Sequence, residues 1–384
     1  LDETTARYSR EHNGANVLAD PHYDSAGRMD SVAYPASGGG GGNGTTGSFT
    51  YDTNGRAATV TWRQPDNAVI TSDAVTARDL AGRITDQTID GVDPYATGAN
   101  YVYDNAGRLT TARITGHTYS YNFAATGGCG TLATAGKNTN RTSMVDNSTT
   151  TSYCYDNADR LTSATDTAVG TITYDDHGNS TAIFGETHGY DAADRHLSTV
   201  KGSTDVTYTR NALDGIVERK VNGSTVARYS NAGASFTLDA NNNIVETVTS
   251  LPGGVLLTDR DTSGTVWSYP NLHGDLVATT DASGVKQGAT TSYDPYGNLT
   301  SGAVPDNSHG SFDNGWLGQH QKGTEQEAGL EPVIEMGARQ YSARIGRFIE
   351  KDPIKGGSAS DYEYTAGDPI NRTDLSGKWL YAFT

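Results

Sequence analysis

The sequence is poor in the materials of an ordinary core. Hydrophobic residues fill only 35% of its 384 positions, with 7 Phe and 3 Met, which argues against a thick oily interior. No apolar run approaches the ~20 residues needed to cross a bilayer, and Leu1 opens the chain without the basic start and apolar stretch of an export signal. Positive charge is scarce as well. With 28 Lys and Arg against 45 Asp and Glu, the net charge of −17 argues against nucleic acid or an anionic membrane as partner of the whole surface. An acidic surface could hold a basic partner, but many of these carboxylates fall at turn positions, where local hydrogen bonding accounts for them.

Metal and cofactor chemistry is equally thin. The two cysteines are too far apart for a zinc finger, and the nine His show no zinc-ligand spacing. Asp239-Ala-Asn-Asn-Asn243 begins like a calcium loop, yet Ile244 and Ser250 stand where Gly and Glu are needed; it reads as an Asn-rich turn. Ser37-Gly-Gly-Gly-Gly-Gly-Asn-Gly44 is followed by no Lys-Ser/Thr, so it is expected to be a flexible loop, not a phosphate cradle. No cofactor is expected, and no Ser-His-Asp or His-Glu-x-x-His set is present.

What the sequence does have is Gly (46) and Tyr (22), a ring that buries while its hydroxyl stays bonded. They recur in one unit. Tyr101-Val-Tyr-Asp-Asn-Ala-Gly-Arg-Leu109 alternates as a strand with one buried face, turns over Asp104 to Gly107, and resumes at Leu109. Asp at the first turn position accepts backbone N–H groups, Gly at the fourth supplies positive φ, and Arg108 is placed to pair with a turn carboxylate. Variants begin at Tyr23, Tyr51, Arg78, Tyr155, Tyr190 and Tyr293, with weaker copies at Tyr174 and Tyr208. Asp159 and Asp194 replace the turn Gly with a side chain that tolerates the left-handed region. The most regular stretch is expected from Phe49 to Tyr121. Roughly a dozen hairpins, about 24 strands, would make a ribbon of about 115 Å that twists and curls.

These units resemble the tyrosine-aspartate (YD) repeats of the RHS and teneurin families over nearly the whole chain. His273-Gly-Asp275, Tyr293-Asp-Pro-Tyr-Gly297, Met336-Gly-Ala-Arg-Gln-Tyr341 and Gly346-Arg-Phe-Ile-Glu-Lys-Asp-Pro353 follow in the order of the RHS-repeat-associated core domain. The resemblance implies an all-β fold of consecutive antiparallel hairpins wound into a curled or spiral hollow shell, here about one turn, either open or completed by other sequence. The expected organisation is a YD-repeat β-shell over 1–265, with a Gly-rich loop at 37–47 and a Cys-flanked insert at 124–151, then the core domain over 266–377 and the start of a variable region at 378–384. Lacking Met and starting inside a repeat pattern, the chain reads as part of a larger polypeptide. An exported protein favours a Cys129–Cys154 bond, closing a loop of about 25 residues and contributing on the order of 3 kcal/mol; two isolated buried thiols are the alternative.

The resemblance also implies a chemistry. The family's paired Asp-Pro-x-Gly motifs correspond to Asp352-Pro-Ile-Lys355 and Asp374-Leu-Ser-Gly377, and self-cleavage in the family depends on both aspartates. Two close carboxylates cannot both ionise easily, so one keeps a proton while the other activates water. Arg339 matches the functional arginine and Arg347 is a second candidate. The cut would fall between Lys378 and Trp379, by an aspartic-type peptidase acting once in cis. Lys355 for Gly, Leu375 for Pro and Lys378 for an apolar residue depart from the pattern, which leaves enzymatic activity open. The implied protein is secreted or at the cell surface and encapsulates a C-terminal toxin in cis, with an N-terminal shell or plug segment as a further partner. The alternative is an adhesion or glycan-binding module without catalysis, for which solvent-facing tyrosines would form the platform.

Overall fold

The computed structural model describes residues 11–126, 129–231, 235–304, 312–356, 358–378 and 380–382. Among these there is no α-helix, only four short 3₁₀ turns between 35 strands. Every sheet is an antiparallel ladder in sequence order, and none closes into a barrel. Seven strands span Glu11–Asn13 to Ile84–Ile89, six span Tyr101–Tyr103 to Leu161–Ala164, and thirteen span Thr173–Tyr174 to Lys286–Gln287.

Each hairpin is built as its sequence dictates. At Asp104 the backbone N–H donates to Arg108 O (2.9 Å) and Gly107 N–H returns to Asp104 O (3.0 Å). Asp104 Oδ1 accepts the amides of Ala106 and Arg108, while Oδ2 accepts Arg108 Nε at 2.8 Å. Gly107 sits at φ 86° and the register slips by one residue at Tyr103, a bulge that only a left-handed residue permits. Asp159 and Asp194 hold that position at φ 60° and 62°. Asp239 and Asn243 close the same turn, with Asn243 Nδ2 in the place of the arginine.

The turns are also coupled to one another. Tyr103 Oη donates to Ile84 O (2.8 Å) while Arg83 lies 4.6 Å from its ring. Tyr51 does the same with Met29 O and Arg28, and Tyr174 with Leu161 O and Arg160. The tyrosine of one unit is thus stacked on the arginine of the preceding turn and bonded to the carbonyl just after it. This is the nearest-neighbour interface of a repeat protein.

The ribbon then returns on itself. Tyr34 Oη donates to Pro252 O (2.5 Å), Asn43 Nδ2 to Tyr269 Oη (2.8 Å) and Trp62 Nε1 to Pro270 O (2.8 Å). Leu18, Val60, Trp62, Trp267 and Tyr269 share one buried cluster, so the first sheet packs on strands more than 200 residues later.

Three expectations need correction. The glycine run is pinned, not floppy: Val17 N–H bonds Gly39 O, Gly41 N–H bonds Val17 O, and a Cβ at Gly42 would lie 2.4 Å from the Tyr34 carbonyl carbon. Its glycines serve close backbone approach. The segment 124–151, expected as an insert into the repeats, is in part ribbon itself, because Ser143–Asp146 and Thr149–Tyr155 form a hairpin within the six-stranded sheet. The stretch from Phe49 to Tyr121 is broken between Ile89 and Tyr101, where Pro94 withholds a ladder donor and Asn100 bridges Gln87 N–H and Asp93 instead. The longest ladder is the later one, where units are shorter; it runs through residue 265 to Gln287. Cys129 and Cys154 are bonded, with Cα atoms 4.4 Å apart.

Beyond Gln287 the chain forms small sheets, the largest of five strands from Phe312–Asn314 to Arg347–Phe348. Trp316, Met336, Tyr341, Phe348 and Tyr364 pack together at its centre. A charged clamp joins this cassette to the ribbon. Arg219 gives Nε to Glu325 Oε2 (2.9 Å) and Nη2 to Glu325 Oε1 (2.8 Å) and Glu327 (2.7 Å), and Tyr208 Oη donates to Glu325 at 2.6 Å.

Candidate functional site

Arg339 immediately precedes the strand Gln340–Ser342 and lies under the Phe348 ring, 3.7 Å from its centroid. Its guanidinium is 2% exposed and meets two buried carboxylates: Nη2 is 3.2 Å from Asp352 Oδ2 and 3.3 Å from Asp374 Oδ2. Both aspartates are set by local turns. Asp352 Oδ1 accepts Ile354 N–H across Pro353 (2.8 Å), and its own N–H donates to Asp361 O (2.8 Å). Asp374 Oδ1 accepts the amides of Ser376 (3.3 Å) and Lys378 (3.1 Å).

Arg339 does more than bridge. Nε donates to Gly377 O at 2.6 Å and Nη1 to Asp361 O at 3.0 Å. Carbonyl and amide of the Gly377–Lys378 peptide are therefore held by Arg339 and Asp374, one bond before the expected cut. Gly377 is required for this approach: at φ 65°, a Cβ would stand 2.8 Å from Arg339 N. The side chain of Lys378 is anchored too, with Nζ 2.9 Å from Asp214 Oδ2 on a repeat turn. Trp379 lies outside the described residues.

Burial pushes the Asp352 carboxyl up, against the pull of Arg339. Burial likewise drives Glu350 up to about 8, although Gln340 N–H donates to its Oε2 at 2.8 Å. It also pulls Arg339 below its ordinary value against the opposing attraction of Asp352 and Asp374. Lys322 is drawn down by burial, with Asp374 and Glu335 acting in the other direction.

Of the four residues singled out for chemistry, three meet. Arg347 stands elsewhere, giving Nη2 to Asp159 O (2.8 Å) and stacking 5.0 Å from Tyr155 and from Tyr362. The departures from the family pattern are accommodated: Lys355 is exposed with Gly356 at φ 76° beside it, and Leu375 packs on the Trp316 cluster. Sequence reasoning missed Glu350, although it alternates with Asp352 along the chain. It also missed Asp214, whose turn is 164 residues from its partner. Among the described residues no group of three His, Cys, Asp or Glu is placed to hold a metal ion.

No protein-family profile matches the chain. It is 30% identical over 226 residues to the tRNA3(Ser)-specific nuclease WapA of Bacillus spizizenii, a match covering 55% of this chain and 9% of that protein. Crystal structures of TcdB2-TccC3-TEV and TcdB2-TccC3-Cdc42 superpose with TM-scores of 0.68 and 0.67 at 16% and 15% identity, covering 94% of this chain and 19% of theirs. TcdB2-TccC3 without its hypervariable C-terminal region gives 0.62 at 16% identity over the same shares. The chain therefore spans a small part of each. In fold the chain is similar to these TcdB2-TccC3 structures, and over 226 residues its sequence is similar to that of the nuclease.

Proposed function

We propose that the chain is a section of an encapsulating shell in a secreted or surface-displayed bacterial toxin, and that its cassette cuts the polypeptide once, between Lys378 and Trp379, to free a C-terminal effector held in cis. The observation that carries this reading is Arg339, which joins Asp352 to Asp374 while gripping the Gly377 carbonyl beside the cut. In this scheme Asp352 keeps the proton, consistent with its upward shift, and Asp374 activates water for attack on the Lys378 carbonyl carbon. As the C–N bond breaks, the Trp379 nitrogen takes a proton. Arg339 orients both carboxylates.

The relatives support the shell. One is a nuclease and another is a complex with a hypervariable C-terminal region, a pattern expected of a carrier with exchangeable cargo. The adhesion reading is disfavoured because, among tyrosines with described side chains, only Tyr95 is exposed, leaving no aromatic platform.

The test is intact mass of the chain carrying a short C-terminal extension. The parent should lose everything after Lys378, while Asp352→Asn and Asp374→Asn keep it. An uncut parent overturns the self-cleavage; a product ending at Gly377 would move the cut to the gripped bond.

A further inference from the structure

A second cluster of buried charge lies apart from the aspartate pair, where the end of the insert, the 345–347 turn and the segment around Glu363 converge. Arg141 is 7% exposed and surrounded by the rings of Tyr121, Tyr153 and Tyr296 at 5.4, 5.0 and 4.6 Å. Nη2 is used, donating to Ile345 O (3.0 Å) and Tyr153 Oη (3.2 Å). Nε and Nη1 have no partner among the described residues. Gly346 lets the guanidinium sit against the backbone, since a Cβ there would be 3.0 Å from Nη1 and Nη2.

Beside it is a cavity of about 20 Å³ lined by Arg141, Arg347, Asn140, Gly346 and Glu363, room for one water-sized occupant. Neither arginine makes an ion pair with a carboxylate among the described residues. Arg347 donates to the Asp159 carbonyl and, at 3.4 Å, to Asn140 Oδ1, and it lies against the Tyr155 and Tyr362 rings. Glu363 is the acidic group of the lining; its Oε1 is taken by Ala359 N–H (3.1 Å), and its Oε2 has no partner among the described residues. Burial raises it to about 7, so it does not fully offset two cations.

Buried N–H donors without acceptors are costly, and unpaired buried cations more so. We infer that this cavity is a site for a single monatomic anion of halide size, held by Arg141 and Arg347. A water could bridge a vacant Arg141 N–H and Glu363 Oε2 but would add no negative charge against the two guanidiniums. The occupant would tie the insert to the cassette, independently of self-cleavage.

The test uses the unmodified chain. Crystals grown in sodium bromide should show one anomalous bromine peak within this cavity. At constant ionic strength, Tm should climb with the logarithm of chloride or bromide concentration when either replaces gluconate, and Arg141→Met should abolish that dependence. No bromine peak in the cavity, or a Tm indifferent to exchanging halide for gluconate, overturns the site and leaves water as its occupant.

Discussion

The repeat ribbon and the C-terminal cassette put the carboxylate to opposite uses. In the ribbon, the aspartates that open the repeat turns sit near the surface as acceptors, whereas Asp73 within a strand is buried and pushed up to about 6. Burial alone would raise the Asp104 carboxyl, but the side-chain and backbone N–H bonds from Arg108 outweigh it and hold the group below its ordinary range; Asp79 and Asp191 behave likewise with Arg83 and Arg195. In the cassette, Glu350, Asp352, Glu363 and Asp368 are all pushed up, burial being the leading cause each time. The first arrangement is local and repeatable. The second depends on distant segments meeting, and it surrounds the candidate chemistry.

Breaking the clamp between the two regions should have the largest effect. Arg219 and Glu325 are 1% and 2% exposed, so Arg219→Leu leaves a buried carboxylate without its partner and should cost about 3–5 kcal/mol. Urea unfolding reads this, and adding Glu325→Leu should restore much of the loss. Within the ribbon, removing one turn should cost less: Asp104→Ala forfeits two backbone acceptor bonds and an arginine pair, for about 1–2 kcal/mol. A loss as large as that of Arg219→Leu would mean that the turns are not independent units. Smallest is the Lys378–Asp214 contact, whose side chains are 36% and 23% exposed. Asp214→Asn should change stability by under about 1 kcal/mol yet slow the cut several-fold, because it loosens the chain at the bond; equal rates would remove Asp214 from the mechanism.

The ribbon was legible in the sequence because its interactions lie within five residues. Asp104, Gly107 and Arg108 declare the turn by residue type and spacing alone, and the copies give its period. What stayed hidden were contacts between units and across the molecule. The bond from Tyr103 to Ile84 needs the neighbouring hairpin in place, and the return of Trp62 onto Pro270 needs the whole curl. In the candidate site, motif resemblance picked out Arg339, Asp352 and Asp374, which the fold brings together, and Arg347, which it uses elsewhere. Glu350 escaped because a lone Glu beside a strand ordinarily faces solvent. The glycine run misled because lack of side chains suits a tightly packed crossing as well as a free loop.

The contrast between the regions has a signature in pH. A carboxyl raised on folding stabilises fully below its unfolded value, and this contribution is lost as pH rises through the folded one. For Glu350 the window runs from its ordinary 4.5 to about 8, and for Glu363 to about 7. The turn aspartates act in the reverse sense: their contribution is complete above 3.8 and lost only as pH falls below it. The measurement that tests the account most directly is amide hydrogen exchange at pH 5 and pH 8, corrected for intrinsic rates, on the parent and on Glu350→Gln. Protection around residues 340–352 should fall between pH 5 and pH 8 in the parent and fall much less in the variant, while the two repeat turns Asp52–Arg56 and Asp104–Arg108 stay level. A uniform change across both regions, or a cassette indifferent to pH, would contradict it.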